Sequence, residues 1–116
     1  MLRVSSQMMG TEVDVTAVNG AGEAEVGVKH AADLLAFTEA VMRGDPASVE
    51  RERLRILLEP ESFVDVAAVI GSFNVVDRIA DATGIPLDAM MMEMSQDVRQ
   101  QLNLARFASA ANTPAA

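Results

Sequence analysis

The sequence predicts an all-α fold of four main helices, and three observations carry that reading. Apolar residues recur at helical spacing from residue 29 onward. Gly44 and Gly84 stand where two of those periodic stretches stop, in the position of helix C-caps. Between them, residues 61–83 run without a turn signal, far beyond the length of an ordinary strand. Residues 1–28 fall outside the pattern. The chain therefore divides into an N-terminal arm over 1–28, a helical domain over 29–109 and a disordered tail over 110–116.

In the arm, residues 11–18 alternate at Val13, Val15 and Ala17 as a strand does. Asn19-Gly20-Ala21-Gly22 is a turn signal, and alternation resumes at Ala24, Val26 and Val28. A lone hairpin is barely stable in water. The arm is either such a hairpin packed on something or a weakly ordered, mobile segment.

The first helix covers 29–43, with Ala31, Leu34, Leu35, Thr38, Val41 and Met42 at helical spacing. Arg43 suits its C-terminus electrostatically, and Gly44 accepts the left-handed conformation that ends it. Asp45 then reads as an N-cap with Pro46 at the first helical position. That second helix runs to about Leu58, its apolar side formed by Val49, Leu54, Ile56, Leu57 and Leu58. Pro60 opens the third helix, where Ser62 and Asp65 resemble a capping box. From Phe63 to Ala80 this helix is apolar almost all round, which predicts burial on most faces and a central position. After Gly84-Ile85-Pro86, a fourth helix is expected from about Leu87 to about Ser109. Its stripe is Leu87, Met91, Met94, Val98, Leu102 and Ala105. Three amphipathic neighbours in so short a chain give limited cover to an apolar helix, so a second chain is expected to supply the rest.

Composition removes several function classes. The 116 residues contain no Cys, which excludes disulfides, thiolate metal sites and Cys nucleophiles within this chain. A single His excludes a multi-histidine metal site within one chain, so no metal and no cofactor are expected. Nine Lys and Arg against seventeen Asp and Glu give a net charge of −8, which disfavours nucleic acid and anionic membrane surface as partners. Mean hydropathy is +0.20, too apolar for a disordered chain. No apolar run reaches the ~20 residues of a spanning helix. The N-terminus lacks the basic and apolar regions of a signal peptide, and a cytoplasmic location is expected.

Phe37-Thr38-Glu39-Ala40-Val41, Gly44-Asp45, Val64-Asp65, Phe73-Asn74 and the run from Arg78-Ile79-Ala80-Asp81-Ala82-Thr83 to Gly84-Ile85-Pro86-Leu87 resemble the alkylhydroperoxidase-like superfamily. That superfamily includes the carboxymuconolactone decarboxylases. The resemblance covers about half the chain and implies an all-helical, obligately oligomeric scaffold, a dimer or higher. Peroxidase members carry a Cys-x-x-Cys pair upstream of the resembling segment. This chain has no Cys to put there, so the thiol–disulfide relay does not carry over. Decarboxylase-type members use polar residues, His among them, in the same upstream region. The only His here, His30, falls outside that place.

Four residues stand out as site candidates. Histidine is the side chain whose unperturbed pKa lies near neutral pH, and His30 lies three residues before Asp33, which makes it a candidate general base; otherwise it is an exposed His at a helix start. Asn74 and Arg78 are four apart and share a helix face, with Asp77 between them. Arg78 in apolar surroundings needs an acceptor. Either the pair holds a carboxylate-bearing ligand, or Arg78 pairs with Asp77, Asp81 or an acid of a partner chain and fixes the oligomer. Met90, Met91, Met92 and Met94 spread around a helix axis and read as adaptable packing rather than thioether metal ligands. Glu50, Glu52, Glu59, Glu61 and Asp65 read as solvated helix surface and caps.

Three expectations follow. The first is a non-redox, non-catalytic oligomeric protein with a structural or small-ligand role. The second is a cofactor-free lyase or isomerase acting on a small organic acid, with His30 as base and Arg78 as anion clamp. The third is one half of a split protein whose partner supplies upstream helices.

Overall fold

The computed structural model describes residues 6, 8–11, 13–19 and 27–113. Those residues are all-helical where they are regular, with no strand among them. They form α1 (Ala31–Arg43), α2 (Ser48–Leu57), α3 (Pro60–Thr83), α4 (Ala89–Met94) and α5 (Gln96–Gln101), with 3-10 turns at Val15–Asn19, Leu104–Arg106 and Ala108–Asn112. The chain divides into two compact units, one ending at Ser72 and the other beginning at Phe73, and α3 contributes to both.

In the first unit, the 3-10 turn Val15–Asn19 stands where the hairpin alternative for the arm puts a strand at Val13, Val15 and Ala17. The cause is Asp14, whose Oδ1 accepts the Thr16 backbone N–H at 2.9 Å and the Thr16 hydroxyl at 2.7 Å. Such local side-chain bonds favour a turn over an extended strand. Ala24 and Val26, the second half of the hairpin reading, lie outside the described residues, and Val28 sits in a bend.

α1 ends as expected at Gly44, whose φ of 78° is the left-handed region. The Gly44 N–H bonds to the Val41 carbonyl at 3.1 Å and the Asp45 N–H to the Ala40 carbonyl at 2.9 Å. Asp45 is thereby committed to closing α1. It does not cap α2, contrary to the sequence expectation. α2 instead starts at Ser48 behind Ala47, itself left-handed at φ 50°, so Pro46 is not at the first helical position. Only Leu54 of the expected apolar side of α2 is fully buried, while Val49 and Ile56 are exposed.

α3 is one continuous helix, as expected, and Pro60 occupies its first position, where the missing N–H costs nothing. The Phe63 N–H bonds to the Glu59 carbonyl at 3.0 Å. Ser62 and Asp65 therefore lie inside the helix and form no capping box. Gly84 at φ 66° closes it, with the Ile85 N–H on the Ala80 carbonyl at 3.1 Å. Phe63, Val66 and Ile70 share one face of α3 and pack with Phe37, Ala40, Ala47 and Leu54 as the core of the first unit; Leu34 and Leu58 lie against it.

The expected burial of α3 on most faces does not hold within the chain. Ile70 is its one buried residue, and Val69, Phe73, Val75, Val76 and Ile79 are each more than half exposed. The core of the first unit engages α3 through Phe63, Val66 and Ile70 alone, one stripe of the helix.

In the second unit the expected fourth helix to Ser109 is interrupted. α4 opens on Asp88, whose Oδ1 accepts the Met91 N–H at 2.8 Å. At Ser95 the hydroxyl donates to the Met91 carbonyl, and Arg99 Nη2 donates to the Met92 carbonyl at 2.8 Å. The Met91 carbonyl also keeps the Ser95 backbone N–H, at 3.0 Å, so the hydroxyl is a second donor there, while Arg99 takes the Met92 carbonyl that an unbroken helix would pair with its own backbone. Asn103 at φ 50° then ends the helical path after α5. Leu102 is buried, and the Leu87 N–H bonds to Thr113 Oγ1 at 2.8 Å.

Candidate functional site

His30 occupies the cap position ahead of α1 in a left-handed conformation, φ 59° and ψ 23°, and is half-buried. Its carbonyl accepts the Leu34 N–H at 3.0 Å, while its ring caps nothing. Asp33 turns elsewhere: its Oδ1 lies 3.7 Å from Arg53 Nη1. The structure thus gives His30 a backbone role and sends its expected acid neighbour to α2.

Arg78 and Asn74 do meet on α3, with Arg78 Nε donating to Asn74 Oδ1. Arg78 is exposed rather than embedded in apolar surroundings, so the premise that it must find a charged acceptor does not apply. No ion pair among the described residues joins it to Asp77 or Asp81. Asn74, Asp77 and Arg78 belong to the second unit, His30 to the first.

A cleft that the sequence reading missed lies in the first unit. About 370 Å³ in volume, it is lined by Arg51, Arg55, Leu58, Pro60, Phe63 and Val64. Arg51 and Arg55 are four apart on α2 and face the same side. Leu58 and Phe63 are half-buried against the core, and the Phe63 ring is tilted at 48° to Phe37 with 5.7 Å between centroids. The floor is therefore fixed by packing. Arg51 Nη2 donates to the Pro46 carbonyl at 2.9 Å, which ties its guanidinium across the start of α2. Arg55 makes no hydrogen bond or ion pair among the described residues. The signal available in the sequence was an Arg-x-x-x-Arg step over 51–55, separated by Ile56 and Leu57 from Leu58-Glu59-Pro60.

No protein-family model matches the chain, and neither does any curated protein or solved structure. Nothing in these comparisons identifies the alkylhydroperoxidase-like superfamily.

Around these positions the chemistry is sparse. Glu52, Glu59, Glu61 and Asp65 are exposed and Glu50 is half-buried. Among the described residues, no three His, Asp or Glu side chains converge as a metal site. Met90 and Met94 are exposed on α4, while Met91 and Met92 are half-buried. No helix among the described residues is long and apolar enough to cross a membrane.

Proposed function

We propose that the chain is a non-redox, non-catalytic helical module that works by self-association, with the open side of α3 laid against a second copy. The observation that carries this reading is the exposure of Val69, Phe73, Val75, Val76 and Ile79 along one helix in which residues 66–76 hold no charged side chain. An uncharged apolar surface of this kind matches itself and brings no like charges into direct contact, although the copies at −8 repel as wholes. Burying these side chains from two copies contributes on the order of 10 kcal/mol. The cost of association is about 4–15 kcal/mol. The surplus is at most about 6 kcal/mol, so the assembly is concentration-dependent, forming at about tens of micromolar or above, rather than being permanent. The resemblance in 37–41, 44–45, 64–65, 73–74 and 78–87 supports a place beside the oligomeric alkylhydroperoxidase-like proteins, with no thiol to carry their relay.

Sedimentation of the full chain across a concentration series tests the reading. The expected result is a mass that rises with concentration in the parent and stays at 12.3 kDa in the Phe73→Asp, Val76→Asp double variant. Both side chains are exposed, so circular dichroism should show the helices intact. A parent that remains monomeric throughout overturns the proposal, and so does a double variant that associates as the parent does. Assembly only with a second, different protein also overturns it and restores the split-protein reading.

A further inference from the structure

The geometry points to a binding site for an anionic amphiphile, a carboxylate on a short apolar tail, in the cleft between the end of α2 and the first turn of α3. Two features of opposite kind meet there. Leu58, Phe63 and Val64 supply apolar wall, held in place by the packing of Phe63 on Phe37. Arg51 and Arg55 line the same cleft from one side of α2, and Arg55 brings a guanidinium, a group suited to a carboxylate.

Charge argues for the same occupant. Acids outnumber bases by seventeen to nine in this chain, yet among the described residues Arg55 is paired with no acid, and Arg51 donates to a neutral carbonyl. The donors of Arg55 are therefore available to an incoming anion. Glu59 and Glu61 flank the cleft in sequence and weaken it for a bare anion. A ligand must then draw on the apolar wall as well, which selects a tailed carboxylate over inorganic phosphate. The volume, near the lower bound of about 300–1,000 Å³ for ligand pockets, fits one small molecule of this class. The inference goes beyond self-association and does not depend on it, since Phe73 and Val76 do not line the cleft.

Methyl NMR of the full chain, titrated separately with octanoate, 1-octanol, octylammonium and inorganic phosphate, decides the matter. Octanoate is expected to shift the Leu58 and Val64 methyl signals along a saturating curve. Octanol and octylammonium should bind about ten-fold more weakly or worse, and phosphate should leave those methyls unmoved. Arg55→Gln keeps much of the side-chain stem, and its loss of charge should weaken octanoate by about ten-fold or more. The Phe73→Asp, Val76→Asp variant should bind octanoate as the parent does, which separates failure here from failure of self-association. Unmoved Leu58 and Val64 signals, an Arg55→Gln protein that titrates like the parent, or octanol, octylammonium or phosphate matching octanoate would each overturn the assignment.

Discussion

Phe37 of α1 and Phe63 of α3 meet with ring centroids 5.7 Å apart and planes at 48°, a tilted contact joining elements separated by the whole of α2. Phe37 is buried and Phe63 half-buried, so the two truncations should differ. Phe37→Ala should cost about 3 kcal/mol and Phe63→Ala about 1–2 kcal/mol in urea denaturation. The double variant should show a coupling of about 1 kcal/mol. Strict additivity would mean that the rings do not interact in solution.

Backbone conformation gives a second, oppositely signed pair. Gly44 at φ 78° has open space where a Cβ would stand, so Gly44→Ala carries the conformational penalty alone, about 1 kcal/mol. His30 sits at φ 59° without a capping hydrogen bond, so His30→Gly should gain about 0.5 kcal/mol, the relief of left-handed strain less the added chain entropy. Thermal denaturation of both variants checks the signs. A large loss on His30→Gly would point to an interaction of the ring that the fold does not show.

These residues also show what the sequence could and could not convey. Gly44 and Gly84 were legible because a left-handed helix end favours glycine, a local demand written in one residue. α3 was legible because its length excluded a strand. Asp45 was misread because two helix ends competed for it, and the Ala40 carbonyl together with Arg43 prevailed. The break at Ser95 was hidden for a related reason: the Arg99 side chain on the Met92 carbonyl overrides a periodicity that continues unbroken through it. The Asn74–Arg78 pairing followed from helical spacing, whereas the Arg51–Arg55 cleft needed the turn at Leu58 to fold Phe63 beneath it. Burial of α3 was over-read because hydrophobicity states a need for cover without saying which chain provides it.

The Asp14 carboxyl is held below the ordinary carboxylate range by the Thr16 hydroxyl first and the Thr16 backbone N–H second. A carboxylate whose folded pKa is depressed adds stability above its unfolded pKa and loses it as pH falls through the folded value. The turn Val15–Asn19 should therefore loosen only below the pH at which an unperturbed Asp protonates. Thr16→Ala removes the larger cause and keeps the backbone bond, so the Asp14 midpoint, followed by carboxyl carbon NMR, should rise part of the way to its ordinary value. An unchanged midpoint would show that the hydroxyl bond is absent in solution.

Salt offers a test of self-association that needs no substitution. Identical copies at −8 repel, and the uncharged residues 66–76 offer no attraction for salt to screen. Raising ionic strength from 0.01 to 1 M shortens the screening length from about 30 to 3 Å, which removes repulsion while leaving apolar burial in place. Self-association should therefore tighten with added sodium chloride in sedimentation experiments. Octanoate binding at Arg51 and Arg55 should weaken under the same change, because guanidinium–carboxylate attraction is screened. Opposite slopes in one protein would separate an interface built on uncharged surface from a cleft built on charge. Association that weakens with salt would instead mean that ion pairs hold the copies together and that the bare side of α3 is not the contact.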